Sequence, residues 1–121
     1  MLQRFPLYAY IPVKDVDRAR QFYEQQLGFT PGRVSEDGVV YAFAGGTSCF
    51  MYPTPNAGTS KASQAFWQVD DIRREVAELR SRGVKFEEYP GTRDGVATGG
   101  GAKAAWFRDP DGNIMAVVQS D

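Results

Sequence analysis

The side chains able to do chemistry are few in this chain, and the leading fact is that it contains no histidine. That removes the commonest general base and the commonest metal ligand together. Zinc, iron or nickel would have to be held by carboxylates, amides or one cysteine, a poor set for borderline-soft metals. Cys49 lies in an apolar strand context and reads as a structural thiol rather than a nucleophile. Glu87 and Glu88 are paired, but neighbours on a strand point to opposite faces, which argues against joint acid–base work. The segment "EEYPGTRDGVATGGGAK" (87–103) is rich in glycine without being a phosphate-binding loop. It lacks the glycine-lysine-serine/threonine ending, and the following "AAWF" reads as strand. Its composition predicts a mobile connection, either a plain surface loop or a flap bringing Arg93 or Asp94 to a ligand's polar end.

The elements that position these groups come from a chain of 121 residues, long enough for one domain with an ordinary core. Hydrophobic residues at 42% and charged residues at 24% are usual for a soluble globular protein. A net charge of -1 leaves no basic footprint, so neither nucleic acid nor an anionic membrane is an expected partner. No apolar run approaches the roughly 18 residues of a spanning helix. The start "MLQRFPLYAYIPV" lacks the pattern of a signal peptide, and one unpaired cysteine fits a reducing compartment; both point to the cytoplasm.

The sequence repeats itself. "AYIPVKDVDRARQFYEQQLGF" is echoed by "AFWQVDDIRREVAELRSRGVKF", with Val13-x-Asp15-Val16-x-Arg18 matching Val69-x-Asp71-Ile72-x-Arg74. In the first block Tyr8 to Val13 alternates as a half-buried strand does. Asp15 then caps a helix whose apolar face carries Val16, Ala19, Phe22, Tyr23 and Leu27, and Gly28 stops it. The second block repeats this with Asp71 as cap, Ile72, Val76 and Leu79 as face, and Gly83 as stop. Each block leads into two strands joined by a polar turn, "VVYAFAGGTSCFMYP" in the first and "KAAWFRDPDGNIMAVV" in the second. The spacing predicts a single domain over 1–121, with module one at 5–53, a linker at 54–63 and module two at 64–120.

Three stretches carry a resemblance: "IPVKDVDRARQFYEQQLGF", "FWQVDDI" and "WFRDPDGNIMAVV". With them the chain resembles the vicinal oxygen chelate superfamily, which includes glyoxalase I, extradiol dioxygenases and bleomycin-resistance proteins. The resemblance implies an α+β fold of two tandem βαβββ modules curved into a half-open barrel, often completed as a homodimer. It also implies where metal ligands would stand, and these positions fall on Tyr8, Phe50, Gln64 and Ala116. A phenol, a phenyl ring, an amide and a methyl group do not make a usual divalent site, so no metal and no other cofactor is expected.

Alternation places Tyr10, Tyr52, Phe66, Gln68, Trp106 and Val118 on the same inward face as those four positions. The expected site is therefore an aromatic-lined cavity with amides among the rings, suited to stacking on a small aromatic or amphipathic molecule. The competing readings are a filled core and a metal-independent lyase or isomerase. Such an enzyme would work through Tyr8, Tyr10 or Tyr52, or through a loop carboxylate such as Glu36 or Asp94. A tyrosine at its ordinary pKa of about 10 is a poor base at neutral pH, which leaves non-catalytic binding ahead.

Overall fold

A computed structural model describes residues 1–121. The first module opens with strand β1 (Tyr8–Val13) and helix α1 (Val16–Arg20). The Asp15 carboxylate caps α1 by accepting the Arg18 N–H at 3.1 Å. The helix widens over Gln21–Gln26 into π-helical turns before Gly28, at φ +77°, ends it. Strands β2 (Val34–Ser35), β3 (Gly38–Ala42) and β4 (Ser48–Pro53) complete a sheet ordered β1-β4-β3-β2, with β1 parallel to β4.

The second module repeats the plan with β5 (Ser63–Gln68) and α2 (Ile72–Ser81), where Asp71 caps the Arg74 N–H at 3.2 Å. Its remaining strands are β6 (Thr92–Arg93), β7 (Val96–Gly99), β8 (Ala102–Arg108) and β9 (Ile114–Ser120). They form a sheet ordered β5-β9-β8-β7-β6, with β5 parallel to β9. The fold is thus α+β with two related modules, and its sheets do not close into a barrel. No helix is long and apolar enough to cross a membrane.

One expectation is corrected here. Residues 87–103 do not form a long mobile connection. About half of them, Thr92–Arg93, Val96–Gly99 and the start of β8, extend the second sheet, and turns join these strands. The glycines mark tight turns: Gly91, Gly95, Gly100 and Gly101 all have φ between +61° and +91°.

The main core lies between the modules. Ile11, Val13, Cys49 and Met51 from one face of the first sheet meet Phe22 and Tyr23 of the first helix and Phe107 and Met115 of the second sheet. Helix α2 covers the rest of that second sheet through Ile72 and Val76 against Ala105 and Val117. The turn between β8 and β9 clasps the first module. Asn113 donates from Nδ2 to the Pro12 carbonyl at 2.7 Å, and Asp111 Oδ1 accepts from Lys14 N at 3.2 Å and Arg18 Nη2 at 3.0 Å. The Asp-Pro-Asp-Gly-Asn run is therefore a fastener between the repeats.

Candidate functional site

With Ala9, Ile11 and Val13 turned into the core, alternation along β1 sends Tyr8 and Tyr10 to the other side of the first sheet. The strand register places Tyr10 beside Phe50, Phe50 beside Val40, and Pro12 beside Tyr52. The rings meet one another: Tyr10 lies edge-on to Tyr52 at 5.1 Å and to Phe50 at 6.4 Å, while Phe50 and Tyr52 are nearly parallel at 6.3 Å. Nothing in the chain covers this surface, and Tyr10 is 68% exposed.

The second sheet has a comparable outer face. Phe66, Ala116 and Trp106 stand in one row across β5, β9 and β8, and Gln68 and Val118 stand in the next. Ala116 is 3% exposed while its row-mate Phe66 is 60% exposed, so the methyl group is floor and the ring is surface. Gln64 falls in a bulge between Ser63 and Ala65 and is exposed. Tyr89 joins this face edge-on to Trp106 at 5.6 Å. No sequence signal marks it, because Tyr89 lies outside any strand, before β6, where alternation assigns no face.

The polar tips of the tyrosines divide in the same way. In the core, Tyr23 donates to Asp109 Oδ2 at 2.7 Å and Tyr41 donates to Glu24 Oε2 at 2.9 Å. Burial, reinforced by those carboxylates, raises the pKa of both phenols. Glu24 is in turn bound by Arg20 at 2.7 Å, which together with Tyr41 holds its carboxyl below the usual range. On the outer faces Tyr8, Tyr10, Tyr52, Gln64 and Gln68 form no side-chain hydrogen bond within the chain, in contrast to those committed pairs. Their donors and acceptors are free for a ligand.

The structure brings the predicted residues together as two surfaces, not one. Tyr8, Tyr10, Phe50 and Tyr52 form the first; Gln64, Phe66, Gln68, Trp106, Ala116 and Val118 belong to the second. Rings of one do not touch rings of the other. The expectation that the two sheets of one chain enclose a common hollow is therefore corrected. The sheets bury their opposite faces against each other and the first helix, which turns the aromatic faces outward. Between the modules lie two apolar crevices, one of about 210 Å³ lined by Leu27, Phe29, Val69, Leu79 and Phe107 and one of about 180 Å³ lined by Ile11, Phe43, Cys49, Ala65 and Trp67, both below the usual range for ligand sites. Burial pushes the Cys49 thiol there up to about 11.

The proposed flap does not cover either outer face. Arg73 Nη1 donates to the Arg93 carbonyl at 3.2 Å and Arg80 Nη2 to the Asp94 carbonyl at 2.9 Å, tying the hairpin tip to α2. That helix packs on the buried face of the second sheet. Glu36 stands exposed in the turn between β2 and β3.

The donor set does not fit a divalent metal. Tyr8 and Phe50 lie on one sheet, Gln64 and Ala116 on the other, and no three His, Cys, Asp or Glu side chains come together anywhere in the chain.

Comparison with known proteins agrees with this architecture. The model of a family described as the Glyoxalase/Bleomycin resistance protein/Dioxygenase superfamily matches residues 5–117. TnmS3, an antibiotic binding protein from Streptomyces sp. CB03234, has a similar structure at 23% identity and a TM-score of 0.75, over 97% of this chain and 96% of that one. A glyoxalase/bleomycin resistance protein from Catenulispora acidiphila DSM 44928 aligns at 25% identity and a TM-score of 0.71, over 97% and 99%. A glyoxalase/dioxygenase from Nostoc punctiforme aligns at 17% identity and 0.70, over 98% and 92%. No curated protein matches the sequence.

Proposed function

The chain belongs to the glyoxalase/bleomycin resistance protein/dioxygenase superfamily, and from that premise we propose that it binds a small aromatic or amphipathic molecule by stacking, without a metal. The observation that carries this reading is the division of the aromatic side chains. Core tyrosines have their hydroxyls committed to Asp109 and Glu24, whereas on the outer faces Tyr8, Tyr10 and Phe66 are exposed, Phe50, Tyr52 and Trp106 are half-buried, and the tyrosine hydroxyls have no partner in the chain. Large apolar side chains left in water forgo roughly 25 cal/mol per Å² of apolar surface, and an extended patch of them marks a contact site. TnmS3 binds an antibiotic by its description, which supports a binding role within the shared fold.

The site is completed by a second copy of the chain. In a twofold dimer the first sheet of one copy faces the second sheet of its partner, and symmetry makes two equal clefts. Each cleft is walled by Tyr10, Phe50 and Tyr52 on one side and by Phe66 and Trp106 of the partner subunit on the other. A catalytic role for the outer tyrosines has less support, because no ionised side chain is hydrogen-bonded to Tyr8, Tyr10 or Tyr52 to activate it. The test is a panel of planar aromatic compounds followed by thermal shift. Saturable stabilisation by at least one compound, reduced in Phe66→Ala, is expected. A flat response across the panel would overturn the reading.

A further inference from the structure

An unpaired cation stands at the edge of the first outer face. The register sets Tyr10, Phe50 and Val40 in one row across β1, β4 and β3. That row ends on Arg33, just before β2. The Val40 N–H donates to the Arg33 carbonyl at 2.9 Å, and the Gly32 N–H donates to the Val40 carbonyl at 2.9 Å. Arg33 is exposed, and its guanidinium has no partner within the chain. The side chains that β1, β4 and β3 turn to this face are all neutral. Glu36 and Asp37, the acids nearest in sequence, belong to the turn after β2 and form no ion pair with it. The second face differs: Arg108, beside Trp106, has its Nε bound to Glu87 Oε1 at 2.8 Å. Next to the unpaired cation lies a low aromatic platform. A Cβ added at the buried Gly38 of β3 would stand 3.0 Å from Phe50 Cζ, so Phe50 leans over bare backbone toward the Arg33 side of the sheet. Its plane lies within 7° of that of Tyr52.

We infer that the first face prefers planar aromatic carboxylates, with the ring on Phe50 and Tyr52 and the carboxylate met by Arg33; this preference rests on the binding reading above. Strands about 4.8 Å apart set the Arg33 backbone about 10 Å from that of Phe50, a gap shared by a long arginine side chain and a fused-ring acid. The planar guanidinium can donate two parallel N–H bonds to a carboxylate. Arg33 is exposed, so water screens the pair, and contacts of this kind contribute a factor of about two to five. Stacking therefore supplies the affinity, and Arg33 supplies the choice between an acid and its neutral analogue.

The experiment titrates three tricyclic compounds by calorimetry: acridine-9-carboxylate, its neutral isostere the 9-carboxamide, and acridone. At low salt the carboxylate is expected to bind about two- to fivefold more tightly than the carboxamide. That advantage should vanish near 1 M salt, where the screening length falls to about 3 Å. Arg33→Gln should bring the carboxylate down to the affinity of the carboxamide. Arg74→Gln, the same change in net charge at an exposed site on α2, should keep the preference. Equal binding of carboxylate and carboxamide by the unaltered protein, or a preference that survives Arg33→Gln, would overturn the inference and leave the binding role intact. If none of the three binds, the inference fails as well, and a flat response to the wider panel would take the binding role with it.

Discussion

Tyr23 of the first module donates its hydroxyl to Asp109 of the second across 2.7 Å of buried space. The same carboxylate accepts the Asp111 and Asn113 N–H groups and the Asn113 amide, so one side chain holds both its own turn and the neighbouring module. The modules are thereby locked in the arrangement that leaves both aromatic faces outside.

Replacing Tyr23 by Phe deletes one of the four hydrogen bonds to that buried carboxylate and should destabilise the chain by about 1–3 kcal/mol. Equilibrium urea unfolding checks this. A loss below about 0.5 kcal/mol would mean that the clasp is held elsewhere.

Acid sensitivity should come in part from Glu24. The Arg20 guanidinium, then Tyr41, hold its folded pKa below the ordinary value of 4.5. Its stabilisation is therefore present above about pH 4.5 and is lost as pH falls through the lowered value. Asp109 has the opposite sign. Burial raises its pKa from 3.8, so its contribution weakens as pH rises through that raised value. Urea midpoints measured from pH 3 to 7 should depend less steeply on acid in Glu24→Gln than in the unaltered chain. Parallel curves would contradict the assignment.

Cys49 should be inert in the folded protein. It is 3% exposed and its thiol is pushed up to about 11, which leaves almost no thiolate at neutral pH. Labelling by a thiol-reactive disulfide at pH 8 should be slow until denaturant is added. Rapid labelling of the native chain would show that the crevice between the sheets opens readily.

If each outer face is covered by a second copy, a charge placed on either should separate the copies without unfolding them. Tyr10→Asp and Phe66→Asp are expected to shift the light-scattering mass from dimer toward monomer while circular dichroism is retained. An unaltered mass in both variants would remove the outer faces from the interface.

Much of this architecture was legible in the sequence because its signals are local. Asp15 and Asp71 cap helices, Gly28 and Gly83 end them, and β1 alternates as a half-buried strand does. Alternation also groups Tyr8 with Tyr10 and Phe66 with Gln68. It cannot say what lies opposite a face, since the packing of one sheet against another depends on contacts distant in sequence. That is why the hollow expected within one chain is absent. The stretch 87–103 misled for another reason: glycine is required by tight turns as well as favoured by flexible loops, and here positive-φ turns account for it. The widened turns at Gln21–Gln26 left no trace in the apolar spacing, yet Tyr23 and Glu24 make their bonds to Asp109 and Arg20 from within them.

The most direct measurement is a crystal structure of the protein with acridone bound. The account predicts the ring system between Tyr10 and Phe50 of one copy and Phe66 and Trp106 of the partner subunit, with its carbonyl in reach of a tyrosine hydroxyl or a glutamine amide. Acridone lodged in the crevice beside Cys49, or the outer faces standing apart in solvent with no ligand between them, would contradict it.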